Sequence, residues 1–467
     1  MTVTPSAGSA RCPGPSVQDY LDRDSRPVPE ELRYNANDFA GDEDIDIERF
    51  ISPEWAKREM EKVWRRVWQF ACLEEEIPEV GDHEVYEVGN ESLIVVRTAP
   101  GEIRAFVNVC LHRGRKLRTH GGQVPEFRCA FHGFTWNLDG SLKNVPCAWD
   151  FPHVDPEKFS LPEARVATWR GFVFVNMDPY CEPFEDYIGT FDTYYIWPLE
   201  RRYKSLHVAK VLPCNWKIAQ DAFIESFHVI ATHPQLLPWL GDANSQYDAT
   251  LDQPHWNRMI NPQGVPSPHI AGSVTEEEVL EAFYYSRAFY SSTQGRDLAM
   301  PDGELPEIPP GGTARQVLAD QMRRQLSSLS GGDYSQVTDS DLLDAVNYLL
   351  FPNFNPWGGV KSNIVYRFRP NGLDPDSCIA EIMFMSALPK DGPRPKPAAI
   401  RWMDDGMLFA DLPELGLVGP VFDQDCENLP YVQEGLKASR KPGLTLSHYQ
   451  ESRIRHFNRA LDQWMSR

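Results

Sequence analysis

The sequence predicts an α+β protein of two domains. An all-β domain lies towards the N-terminus, and a larger domain follows with helices around an antiparallel sheet. Three observations carry this. A chain of 467 residues is too long for one ordinary core. From 83 to 109, and again at 171–179, short β-rich runs stand between turn residues. Beyond 200, long helical patterns alternate with strand-like segments, without repeats or low-complexity tracts.

The composition, 42% hydrophobic and 24% charged, is that of a globular protein. With 46 basic against 67 acidic residues, the net charge of −21 argues against nucleic acid or an anionic membrane as partner. No apolar run approaches a membrane span. The opening "MTVTPSAGSARCPGPS" lacks the apolar core of a signal peptide and reads as a loose arm. Nine cysteines, an odd number without framework spacing, are expected to be reduced thiols of a cytoplasmic protein.

Residues 1–63 are expected to form an arm and a helix packing with the larger domain. In "SPEWAKREMEKVWRRVW" (52–68), Ser52 can cap, Pro53 suits the first helical position, and Glu54 sits near the positive helix end. Met60, Val63, Trp64, Val67 and Trp68 make one apolar stripe at helical spacing. Residues 64–180 are expected to be the all-β domain: "SLIVVRTAP" and "IRAFVNVC" read as a hairpin around "GE", and "GFVFVNMDP" as a further strand. Residues 181–467 are expected to be the second domain. There "CNWKIAQDAFIESFHVIATH" (214–233) reads as one long helix and "TEEEVLEAFYYSRAF" as another. "LLFPNF", "NIVYRFRPNG" and "CIAEIMFMSALP" carry strand signals.

Inside the β domain, "CLHRG" carries Cys110 and His112. After sixteen intervening residues, "CAFHGFTW" carries Cys129 and His132. A Cys2His2 zinc site usually groups its cysteines on one side and its histidines on the other. A Rieske [2Fe–2S] centre needs two thiolates on one iron and two imidazoles on the other, which two loops of mixed type supply. Gly114, Gly121, Gly122, Gly133 and Gly140 flank the loops, where tight turns are needed. The pattern resembles the Rieske domain family. A zinc site, or four unconnected core residues, is the competing reading. Arg113, His120 and Trp136 either tune a cluster or merely pack.

The segment 214–233 carries two stripes. Trp216, Phe223, Phe227 and Ile230 look like core. Asp221, Glu225, His228 and Thr232 make a polar stripe that either faces water or binds metal, since buried charges need partners. An unbroken helix would not align His228 with His233, five residues on. Pro234 pushes His233 out of the helical region, so it can swing back towards His228. Two imidazoles and a carboxylate form the facial triad of non-haem Fe(II) oxygenases.

"NWKIAQDAFIESFHVIATHP" resembles the iron-binding helix of Rieske non-haem iron oxygenase large subunits, and the resemblance runs from about 45 to 440. It implies a Rieske [2Fe–2S] domain followed by a helix-grip (START-like) catalytic domain with mononuclear Fe(II). It implies that His228 and His233 bind iron. It also implies that Glu225, where many relatives have Asp, bridges to a Rieske centre. "FDQDCENLPYVQEGL" resembles the segment supplying the third ligand, which points to Asp425, with Asp423 as competitor. Pro430 cannot sit deep inside a helix, so the following helix is expected to start near Asn428, just after Asp425. Ala222, Asp221, Leu415, Val418 and Val421 are pocket candidates, each also compatible with ordinary structure.

The resemblance further implies a terminal oxygenase using O2 and electrons from NAD(P)H through a reductase, with or without a ferredoxin. It implies a homotrimer, with or without a β subunit, in which electrons cross between chains. The reaction would be hydroxylation, dihydroxylation or dealkylation, including O- or N-demethylation. No charged residue is clearly committed to gripping a carboxylate, so an apolar, aromatic small molecule is expected, as in aromatic hydrocarbon catabolism. A Rieske electron carrier would not need the long second domain, and a START-like binding module would not need His228, His233 and Asp425.

Overall fold

The computed structural model describes residues 11–467 apart from 13, 196–200, 295–304, 331, 361–363, 390–391 and 417. Most of the expected loose arm, residues 1–10, therefore lies outside the described residues.

The first long helix starts as expected. The Ser52 hydroxyl accepts the Trp55 N–H at 3.2 Å, and Pro53 holds the first position. The helix is shorter than expected: α-helix over Pro53–Glu59 widens into a π turn over Met60–Trp64, and a strand begins at Gln69. Met60, Val63, Trp64, Val67 and Trp68 are nonetheless all buried. What holds the segment is Glu59, a buried acid that accepts from Trp216 Nε1 at 2.6 Å and Lys217 Nζ at 2.7 Å. The Trp64 and Trp216 rings meet edge to face at 5.0 Å. The N-terminal segment thus packs on the second domain, and Ile45–Asp46 pairs with Gly443–Leu444.

The β-rich part is a seven-stranded antiparallel sheet beside a three-stranded one. The expected hairpin is Glu91–Ala99 with Glu102–Val107, and Phe172–Asn176 is the strand read in "GFVFVNMDP". The small sheet, Phe127–Arg128, Thr135–Trp136 and Leu142–Asn144, shares a core of Ile94, Phe106, Phe134 and Trp136 with the large one.

The second domain is built on an eight-stranded sheet, in spatial order Gln246–Asp248, Trp256–Asn261, Ala345–Leu350, Asn355–Gly358, Ile364–Pro370, Cys378–Ala387, Arg202–Leu212 and Arg401–Trp402. All neighbours run antiparallel except the last pair. The helices Trp216–Ala222, Val418–Ala438 and Ser452–Ser466 pack against it. Arg202–Leu212 escapes sequence reading because Lys204 and His207 interrupt its apolar pattern, and both are buried.

Those two side chains belong to the seam between the sheets. Glu381 pairs with Arg367 at 2.7 Å, Arg369 at 3.0 Å and His207 Nε2 at 3.2 Å. Arg367 donates to the carbonyls of Phe70 and Ala71, Arg369 to that of Glu87, and Lys204 pairs with Glu76. Cations of the eight-stranded sheet therefore satisfy backbone carbonyls and an acid of the N-terminal β domain, the condition under which buried charge is tolerated.

Candidate metal centres and substrate cavity

The two Cys–His loops are near copies. The Cys110 N–H donates to the Arg115 carbonyl at 2.8 Å, and the Gly114 N–H returns to Cys110 O at 2.9 Å. Cys129 repeats this with Phe134 O at 2.8 Å and the Gly133 N–H at 3.0 Å. Gly114 and Gly133 both have φ of +78°, which a Cβ would strain, so glycine is needed at each turn. The loops bring the His112 and His132 rings to 4.7 Å, with both cysteines buried and His132 exposed. Cys110 Sγ accepts from the N–H groups of His112 and Arg113, and Cys129 Sγ from those of Phe131 and His132. Burial pushes the Cys129 thiol pKa up, but these amides and the neighbouring Cys110 outweigh it and hold it below the usual range. His112 Nδ1 is buried with no hydrogen-bond partner, as an imidazole nitrogen directed at a metal would be. Two thiolates and two imidazoles in this arrangement fit a [2Fe–2S] cluster.

The expected long helix at 214–233 is broken. Helix covers Trp216–Ala222, and one short turn covers Val229–Thr232. Side chains capture the backbone between them. Glu225 Oε2 accepts from the N–H groups of Phe227 and His228, and Ser226 Oγ donates to Asp242 O at 2.9 Å. Short polar side chains that bond to nearby backbone compete with the helix ladder. Past the break the expected core stripe fails, and Phe227 and Ile230 are exposed. His233 leaves the helical region at φ −127°, ψ 53°, as Pro234 demands.

The break brings His228, His233 and Asp425 together, with one ligand atom of each within 4.8 Å of the others. Asp425 Oδ1 lies 2.8 Å from His233 Nε2 and 3.4 Å from His228 Nε2. The opposite ring nitrogens are held by other residues: His228 Nδ1 by Glu225 Oε1 at 2.6 Å and His233 Nδ1 by Gln424 Oε1 at 2.9 Å. That leaves both Nε2 atoms facing Asp425, the outer-shell pattern of metal-bound imidazoles. Gln424 was not anticipated; its adjacency to Asp425 was the available signal. Burial would lower the His228 pKa, but Glu225 and Asp425 raise it to about 10. The site is thus electronegative enough to favour a cation. Two imidazoles and a carboxylate fit mononuclear iron.

Asp423 faces elsewhere, accepting the N–H groups of Phe409 and Ala410 at 2.8 Å each. The helix expected to start near Asn428 instead spans Val418–Ala438, so Asp425 lies inside it with Pro430. An interior proline costs about 3 kcal/mol. The buried stripe Phe422, Asp425, Leu429, Gln433 and Leu436 offsets this, since each large apolar side chain contributes roughly 1.5–3 kcal/mol.

Comparison with known proteins decides the family. The Rieske [2Fe–2S] domain family matches residues 67–155, and the ring hydroxylating alpha subunit (catalytic domain) family matches 197–467, more than half of the chain. The chain belongs to the Rieske non-haem iron oxygenase alpha-subunit family. Chlorobenzene dioxygenase subunit alpha of Cupriavidus sp. (strain PS12) is 34% identical over 182 residues, 37% of this chain and 40% of that one. Anthranilate 1,2-dioxygenase large subunit of Acinetobacter baylyi is 32% identical over 193 residues, 39% of this chain and 41% of that one. The matched stretches thus span about two fifths of these relatives' length. Two solved structures share the fold. Naphthalene 1,2-dioxygenase from Rhodococcus sp. bound to indole has TM-score 0.57 and 20% identity, covering 90% of this chain and 94% of that one. A quaternary ammonium Rieske monooxygenase with L-carnitine has TM-score 0.58 and 17% identity, covering 90% and 95%.

In this Rieske oxygenase chain the His-His-Asp group stands in the wall of a cavity of about 710 Å³. The sheet supplies Trp357, Ile364, Tyr366 and Phe384, and the helices supply Phe223 and Phe422. Of the pocket candidates, Ala222, Val418 and Val421 line it. Leu415 is core, and Asp221 is a half-buried acid whose pKa desolvation raises well above the usual range. Near the cluster, Trp136 is core and donates to Phe159 O at 2.9 Å. Arg113 lies over the Phe131 ring, and His120 is exposed beside Thr119. Among the described residues, no helix is long and apolar enough to cross a membrane.

Proposed function

We propose that this chain is the terminal oxygenase of a multicomponent system that oxidises an apolar aromatic molecule with O2 and electrons from NAD(P)H. The observation that carries it is the aromatic-lined cavity opening on His228, His233 and Asp425, with no Lys or Arg among its described lining residues. The reaction is hydroxylation, dihydroxylation or dealkylation. A reductase, with or without a ferredoxin, supplies electrons to a cytoplasmic enzyme divided at about 64 and 181.

In this reading Cys110, His112, Cys129 and His132 hold the cluster, and His228, His233 and Asp425 hold the iron. The cluster, when bound, supplies single electrons and the iron supplies O2 activation. Glu225 keeps the His228 Nδ1 proton and orients the ring, and Gln424 does the same for His233. The apolar wall orients the ring of the substrate and excludes water.

Exposed apolar residues support assembly into a homotrimer. Phe131 (56% exposed) and Trp149 (81%) lie in the Rieske domain, Phe131 directly beside His132. Phe227 (47%) and Ile230 (38%) flank His228. Two different patches on one chain match head to tail, the geometry of a ring. Glu225 would then bridge His228 to His132 of a neighbour.

The test is O2 uptake and product analysis with a surrogate reductase across aromatic hydrocarbons, aromatic acids, methyl ethers and quaternary amines. The expected result is coupled uptake with neutral aromatics and a Rieske-type EPR signal on reduction. In Glu225→Gln both metals stay and turnover falls at least tenfold. A colourless zinc protein, or uptake confined to carboxylates, sinks the reading.

A further inference from the structure

Tyr366 is buried, at 2% exposed, in the cavity wall. A buried tyrosine hydroxyl normally finds a partner. Here Tyr86, Tyr187, Tyr195, Tyr247 and Tyr348 each donate to a side chain or carbonyl. The Tyr366 hydroxyl makes no hydrogen bond to any described residue, although its ring is packed against Phe223 at 4.9 Å and Phe422 at 5.9 Å. The strand register explains its aim. Asn355 stands opposite Tyr366, so Trp357, two residues along, shares the face that looks into the cavity. The two rings meet edge to face at 6.0 Å, and the Trp357 indole N–H is also buried without a partner. The other hydroxyls of the wall are satisfied, with Ser205 and Ser386 bonded to each other at 2.6 Å.

A hydroxyl that lines the cavity without a protein partner is free to donate to an acceptor that a ligand brings. The helix neighbour of Phe422, three residues on, is Asp425, so this donor lies at the metal end of the cavity. We propose that Tyr366 is a substrate-positioning residue whose hydroxyl donates to a neutral acceptor, such as a carbonyl or ether oxygen, on the aromatic substrate. The preferred substrate class is then an aromatic ketone, ether or phenol rather than a bare hydrocarbon. A carboxylate is disfavoured because the described lining carries Glu225, Glu414 and Asp425 and no Lys or Arg. This rests on the oxygenase reading only in taking the cavity as the substrate site.

The test is a binding cycle independent of turnover. Dissociation constants are measured by calorimetry on the metal-loaded protein for shape-matched pairs: acetophenone with isopropylbenzene, and 2-acetylnaphthalene with 2-isopropylnaphthalene. They are measured in wild type and in Tyr366→Phe. The expected result is that the ketone-to-hydrocarbon affinity ratio falls about tenfold in the variant for at least one pair, with hydrocarbon binding unchanged. The melting temperature should not fall, because no protein hydrogen bond is lost. A ratio unchanged within about twofold for both pairs, or no binding of either ketone, overturns the proposal. A changed ratio without O2 uptake would instead remove the oxygenase reading and leave the Tyr366 contact standing.

Discussion

At the residue scale, two aspartates separated by a single residue, Gln424, do different work. Asp425 faces both imidazoles from within the helix, whereas Asp423 caps the backbone at 409 and 410. Their substitutions should separate. Asp425→Ala is expected to lower iron from about three to about two per chain with the cluster spectrum intact. Asp423→Ala should keep all the iron and lose only about 1 kcal/mol of stability, the worth of a capping carboxylate. Metal analysis beside the visible spectrum reads this out. Loss of iron in Asp423→Ala alone would mean that the wrong carboxylate has been assigned.

At the element scale, the metal segment works because it is not one helix. His228 and His233 come together through the break, and Ser226 anchors that break with bonds to Asp242 O, Ser245 and Tyr247. Ser226→Ala removes the side-chain donor to the Asp242 carbonyl and the hydroxyl beside Ser245, while Tyr247 keeps Gln450 and the backbone N–H at 226, at a cost of roughly 1–3 kcal/mol. The expected outcome is a lower melting temperature and faster iron loss to a chelator, with cluster absorbance unchanged. Iron retention equal to wild type would show that the break does not depend on this anchor.

At the scale of the whole molecule, the two sheets are joined by buried charge. Removing Glu381 leaves Arg367 and Arg369 without their carboxylate while both remain buried. Breaking such a pair from one side costs about 3–5 kcal/mol. Glu381→Ala should therefore lower the midpoint and split unfolding into two transitions, because Arg367 and Arg369, which donate across the seam, lose the carboxylate that orients them within the eight-stranded sheet. Denaturation followed both by cluster absorbance and by far-UV circular dichroism tests this. Coincident transitions with unchanged midpoint would mean that apolar contacts alone hold the seam.

The sequence by itself determined the Cys–His loops, the hairpins and the histidine pair, because these rest on local spacing and on Gly and Pro chemistry at Gly114, Gly133 and Pro234. It also pointed to Asp425 through resemblance, without showing where its carboxylate goes. Only the tertiary structure decided the rest. The break after Ala222 depends on Asp242 and Tyr247, and the helix through Pro430 depends on packing against Phe409 and Tyr366. The strand Arg202–Leu212 was hidden because its lysine and histidine are paid for by partners far along the chain. Gln424 has only its adjacency to Asp425 as a local signal and Tyr366 has none, since what distinguishes them is the partner each has or lacks across the fold. Local propensity is written in neighbouring residues, whereas burial of a polar group is settled only by what the folded chain places beside it.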